Sequence, residues 1–150
     1  MIEQGQKAPE FSLEDQDGRV VRLADLKGNT VVLYFYPKDD TPGCTTEACS
    51  FRDAFADIKA RGAFLFGISA DTTESHTKFR EKYDLPFPLL SDKDASVARS
   101  YGVWGKKKMF GKTHEGIQRS TFVIGPDGVV QKVFPKVKPE EHAGEVLAAL

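Results

Sequence analysis

The chain has 150 residues, 40% hydrophobic and 29% charged, with a formal net charge of −1. That length suits one compact domain over residues 1–150, with a core large enough to need no metal or disulfide staple. The near-balance of charge argues against a dedicated nucleic-acid or membrane-surface binder, and no run approaches the roughly 20 apolar residues that span a bilayer.

Residues 11–13 and 20–23 flank Glu14-Asp15-Gln16-Asp17-Gly18 and read as a small N-terminal hairpin. Residues 30–36, Thr-Val-Val-Leu-Tyr-Phe-Tyr, are β-branched, aromatic and apolar almost throughout, which suits a strand buried on both faces. It stops at Pro37, which has no N–H to give to a ladder. A loop follows, and Thr41 as N-cap with Pro42 at the first helical position opens a helix. Ala48, Phe51, Phe55 and Ile58 recur at steps of three and four, one apolar helix face. Gly62 ends that helix.

Residues 63–69 read as a second buried strand. Asp71 with Glu74 makes an acidic capping box for a helix to about Tyr83, and Asp94 is placed to cap a shorter helix up to Tyr101. Residues 121–124 and 129–134 flank Gly125-Pro126-Asp127-Gly128 and form an antiparallel hairpin. Pro139 opens a last helix to Leu150. Buried strands joined by helical crossovers imply an α/β class. The order of elements fits a thioredoxin-like fold: a central mixed sheet flanked by helices, with an N-terminal β-hairpin extension.

The N-terminus lacks the basic flank and apolar run of a signal peptide, which points to the reducing cytosol. There a structural disulfide between the two cysteines is not expected. Cys44 falls in the first turn of its helix, where free N–H groups and the positive end of the dipole favour a thiolate. It shares the face of Ala48, Phe51 and Phe55, so it points inward, beneath the 37–42 loop. Cys49 lies about 140° around the helix and ~7.5 Å along it. The two Cα atoms are then roughly 8–9 Å apart, beyond the ~7 Å a disulfide bridges, so the pair bonds only if the helix unwinds locally. Cys49 shares its face with Arg52 and Ala56 and should be the more accessible thiol. Thr41 brings a hydroxyl one turn before Cys44. Glu47 brings a carboxylate three residues after it, which would repel a thiolate unless a cation stands between them.

At these residues the sequence resembles the peroxiredoxins. Pro37-Lys38-Asp39-Asp40-Thr41-Pro42-Gly43-Cys44 fits their P-x-x-x-T-x-x-C signature, and Glu47 matches the acidic residue that follows it. A second cysteine five residues on is similar to the atypical two-cysteine branch known as bacterioferritin comigratory protein, or PrxQ. Residues 7–11, 101–105 and 116–124 are similar to that branch as well. The resemblance implies that Cys44 attacks the O–O bond and becomes a sulfenic acid. Cys49 would resolve it to a disulfide within one subunit, and thioredoxin or a similar dithiol would restore the enzyme. Pro37 would shield the thiolate, Thr41 and Arg119 would hold the two peroxide oxygens, and Glu47 would orient Arg119. The substrate would be hydrogen peroxide or an organic hydroperoxide, with no metal, haem or flavin cofactor. A cytoplasmic monomer without nucleic-acid or membrane partners is the expected setting.

Two other readings use the same residues. A thioredoxin-like disulfide oxidoreductase or redox sensor would act on protein thiols, although the chain has no Cys-x-x-Cys. A binding domain with two inert cysteines is the other. His76, His114 and His142 lie in different segments and do not suggest zinc. Lys106-Lys107-Lys108 reads as a solvated loop, and Trp104, Met109 and Phe110 as residues that either cover the pocket or pack.

Overall fold

A computed structural model describes residues 1–109 and 111–150, with the backbone alone at 107–109. The alternation of side chains along Thr30–Phe35 organises the molecule. Five of these six residues are buried, because successive positions point into opposite apolar layers. Val31, Leu33 and Phe35 enter one cluster, with Phe66, Ile68, Phe122, Ala98 and Tyr101. Val32 and Tyr34 enter the other, with Ala48, Phe51, Ile58, Leu65, Phe79, Leu89 and Val146. This strand therefore lies inside the sheet, as its composition predicts.

In chain order the strands are β1 (Ser12–Glu14), β2 (Val20–Arg22), β3 (Thr30–Phe35), β4 (Ala63–Ser69), β5 (Leu89–Ser91), β6 (Trp104–Met109), β7 (Lys112–Ile117), β8 (Ser120–Ile124) and β9 (Val130–Phe134). The helices are α1 (Pro42–Ala60), α2 (Thr73–Tyr83), α3 (Ser96–Ser100) and α4 (His142–Ala148), with a 3-10 turn at Leu23–Leu26. Seven strands form one mixed sheet in the order β2-β1-β5-β4-β3-β8-β9. β4 runs parallel to β3, and β8 runs antiparallel to it. The N-terminal hairpin joins this sheet through the Glu14–Ser91 pairing. Helix α1 is the crossover between β3 and β4, which neighbours running parallel require. No helix among the described residues is long and apolar enough to cross a membrane.

Several local expectations are corrected. Helix α2 is capped by Thr72, whose hydroxyl oxygen accepts from the Ser75 amide at 3.1 Å; Asp71 is engaged elsewhere. Ahead of α3, the Asp94 carboxylate accepts from the Ser96 amide but does not cap the helix. The carboxylate of Asp92 takes the Val97 and Ala98 amides, and the N-cap position falls on Ala95 in the left-handed region. Helix α4 begins at His142 rather than Pro139. The 106–108 lysines lie not in a loop but in β6, which pairs with β7 as a separate two-stranded ribbon. Its largely polar sequence carries no alternation of apolar residues from which to read the strands. Trp104 is half-buried, packs on the core and stacks under the Arg99 guanidinium. Phe110 and the Met109 side chain lie outside the described residues.

Candidate active site

The topology brings Arg119 to Cys44 and Glu47, more than seventy positions earlier in the chain. β3 ends at Phe35, which pairs with Ser120 at the start of antiparallel β8, so Arg119 sits beside the chain as it leaves the sheet toward Pro37. That chain turns through the 37–41 loop into α1, with Thr41 extended at the N-cap and Pro42 at the first helical position. Cys44 and Glu47, three apart, then share one helix face. Both are buried, with Cys44 only 1% exposed.

The Arg119 guanidinium uses its fork on both. Nη2 donates to Cys44 Sγ at 3.3 Å and Nη1 donates to Glu47 Oε1 at 2.7 Å. The cation required between a thiolate and the Glu47 carboxylate is therefore present, and it is Arg119. A planar, two-pronged donor fits this geometry as a lysine could not. Gly43 leaves room for it: a Cβ there would stand 3.0 Å from Arg119 Nη2. Burial draws the Arg119 pKa down, but the charges of Glu47 and Cys44 outweigh it and leave the pKa raised. Burial pushes the Glu47 carboxyl up to about 7, although the arginine's charge and hydrogen bond pull the other way.

Behind this ion pair the packing is aromatic and short of hydrogen bonds. Glu47 Oε2, Tyr34 Oη and His142 Nδ1 are buried without a partner. Tyr34 stacks on Phe51 at 4.6 Å between ring centroids. Its hydroxyl pKa is raised well above the usual value by burial, then by Glu47. Gly67 makes space for that ring, since a Cβ there would come within 2.8 Å of it. His142 Nε2 lies 2.6 Å from Thr121 Oγ1, and burial pushes the ring down to about 4, with Arg119 adding to the effect.

Of the residues singled out from sequence, Cys44, Glu47 and Arg119 are brought into contact. Pro37 is half-buried at the mouth of the loop, beside Tyr36. Thr41 occupies the N-cap position, but its hydroxyl does not cap; it donates to the Lys38 carbonyl at 2.9 Å and closes the loop on itself. Cys49 is half-buried on the same unbroken helix, and both thiols are free. Sequence reasoning overlooked a polar cluster under the loop. Asp39, Asp71 and His76 converge there with their ligand-type atoms within 4.8 Å of one another. Four donors, Tyr36 Oη, Ser75 Oγ, Ser69 Oγ and the Asp39 amide, take up those carboxylates, so hydrogen bonds knit the cluster. His76 is 37 positions from Asp39, and no spacing rule links them.

Residues 4–133 match the model of the AhpC/TSA family. The putative peroxiredoxin Bcp of Coxiella burnetii is 52% identical over 149 residues, covering 99% of each chain. A bacterioferritin comigratory protein of Xanthomonas campestris, described for its alkyl peroxide reduction activity, superposes with a TM-score of 0.88 at 41% identity over 93% of this chain and 88% of that one. A cysteine-to-serine variant of Xylella fastidiosa PrxQ superposes with a TM-score of 0.92 at 34% identity, covering 99% and 94%.

Proposed function

This chain belongs to the AhpC/TSA family, within its Bcp/PrxQ peroxiredoxins, and from that membership we propose which residues make it a thiol-dependent peroxidase. The Cys44 thiolate attacks the nearer oxygen of a hydroperoxide. An S–O bond forms as the O–O bond breaks, the sulfur is oxidised by two electrons, and the departing alkoxide or hydroxide takes a proton to leave as alcohol or water. Arg119 and Thr41 hold the two peroxide oxygens, and Pro37 shields the sulfur. Glu47 keeps the guanidinium aimed. The Cys49 thiol then displaces water from the Cys44 sulfenic acid, forming a disulfide within one subunit. A thioredoxin-type dithiol reduces that disulfide by exchange.

The observation that carries this reading is the Arg119 fork, 3.3 Å from Cys44 Sγ and 2.7 Å from Glu47. Donors preset where negative charge develops lower the barrier to displacement. Hydrogen peroxide and organic hydroperoxides are the substrates, and the alkyl peroxide activity of the Xanthomonas relative supports the second. Cys49 suits the resolving role because it is the more accessible thiol, near enough to Arg52 for their charges to interact. The reading includes one domain over residues 1–150, acting as a cytoplasmic monomer without nucleic-acid or membrane partners.

Cys49→Ser tests the assignment. The reduced variant should consume one equivalent of peroxide and stop, and excess peroxide should then drive Cys44 to sulfinic acid, read by intact mass. Normal cycling of that variant with thioredoxin would reject Cys49 as the resolving residue.

A further inference from the structure

The polar cluster beneath the 37–41 loop has no part in the chemistry above, yet it fixes the segment that carries Pro37 and Thr41. Asp39 is tied at both side chain and backbone. Its Oδ1 accepts from Tyr36 Oη at 2.6 Å, and its Oδ2 accepts from Ser75 Oγ at 2.8 Å and lies 2.7 Å from His76 Nδ1. Its amide donates to Asp71 Oδ2 at 2.8 Å, and Asp71 is itself held by Ser69 Oγ. His76 is fully buried and faces acceptors on both sides, the second being the Leu90 carbonyl, 3.0 Å from Nε2. The ring therefore bridges the Asp39 carboxylate and the Leu90 carbonyl and joins the loop to β5.

The neighbouring contacts give this cluster a mechanical meaning. Asp40, in the left-handed region at φ 58°, accepts from Lys82 Nζ and Tyr83 Oη at the far end of α2. Past Cys49, Arg52 Nη1 donates to the Tyr83 carbonyl at 2.8 Å. Helix α2 thus grips the chain on both sides of residues 41–51. Disulfide formation needs α1 to unwind within that interval, because an intact helix holds the two Cα atoms too far apart.

We propose that Asp39 and His76 are positioning residues for the disulfide-forming step. By pinning the loop to α2 and β5 they hold the peroxide-binding geometry together and limit how readily Cys44, once a sulfenic acid, swings out to Cys49. The inference rests on the Cys44–Cys49 pairing proposed above. A stronger latch favours the folded site and attack on peroxide, and a weaker one favours the unwound segment and resolution.

Two substitutions separate this role from simple core filling. In His76→Asn the amide nitrogen stands where Nδ1 does and keeps the bond to Asp39. In His76→Gln the amide nitrogen reaches the Leu90 carbonyl instead and leaves Asp39 without its ring partner. With both steps followed by rapid quench and mass analysis, His76→Gln should form the Cys44–Cys49 disulfide about tenfold faster, the scale expected for losing one charge-assisted hydrogen bond. It should also resist over-oxidation to sulfinic acid, while His76→Asn stays near the parent on both counts. Ser75→Ala, a milder cut at the half-buried start of α2, should shift the disulfide step in the same direction by less. Equal behaviour of the Asn and Gln variants would overturn the proposal. So would an unchanged disulfide rate in Ser75→Ala should His76→Gln fail to fold. If the parent chain forms no Cys44–Cys49 disulfide, the pairing fails and the latch with it; if it forms one and no substitution alters the rate, only the latch fails.

Discussion

Glu47 shows how burial and pairing compete at a single carboxyl. Its side chain is fully buried, and only one of its oxygens meets Arg119. Burial raises its pKa from 4.5 to about 7, so between those values the folded protein holds a proton that the unfolded chain releases. Stability from this group is complete below about pH 4.5 and is withdrawn as pH rises through 7, by on the order of 3 kcal/mol. His142 works in the opposite sense. Its pKa falls from 6.5 to about 4, so its contribution is full above 6.5 and lost as pH falls through 4. The two slopes largely cancel between pH 4.5 and 6.5. Glu47→Gln keeps an acceptor for Arg119 but removes one slope. It should therefore cost more stability at about pH 5 than at about pH 8 in urea denaturation. An equal cost at both would mean the Glu47 carboxyl titrates as an ordinary exposed one. The need for a cation beside Glu47 was legible from its spacing to Cys44. The two unpartnered atoms nearby, Tyr34 Oη and His142 Nδ1, were not, because burial of a polar atom leaves no mark on local sequence.

Among the elements, α1 was read most completely. Its start at Thr41-Pro42, its apolar face and its end at Gly62 all stand, because caps, proline and period act within a few residues. The cap of α2 moved one residue, from Asp71 to Thr72, since the Asp71 carboxylate is taken by Ser69 and the Asp39 amide across the fold. The β6–β7 ribbon was missed because its apolar residues, Trp104, Met109 and Ile117, stand only at its ends, and glycine, lysine and other polar residues fill the stretch between them. The helix bond from the Thr45 amide to the Thr41 carbonyl, 2.8 Å, marks the first turn that the proposed disulfide would break. Hydrogen exchange should accordingly show amides 45–49 losing protection in the oxidised protein, while those past Arg52 keep theirs. Unchanged protection over 45–49 in a protein shown to carry the disulfide would contradict the unwinding.

At the level of the whole molecule, the class and the central strand follow from composition, but the strand order does not. β3 lies between β4 and β8, and the latter is about ninety residues away in the chain; only the finished sheet carries Arg119 to Cys44. The pairing of Phe35 with Ser120 is thus as much a part of the site as the helix N-terminus. Both apolar layers bear on it, one through Phe35 and Phe122 and the other through Tyr34, Phe51 and Ala48. A binding domain with inert thiols would not need an arginine brought across the sheet to a buried sulfur. The most direct test of this assembly is stopped-flow oxidation of the reduced protein by hydrogen peroxide, followed through its one tryptophan, Trp104, with Cys44→Ser as control. Oxidation about a thousandfold or more faster than that of free cysteine at the same pH, and absent in Cys44→Ser, is the expected result. A rate no greater than that of an ordinary thiol, or one that survives loss of Cys44, would contradict it.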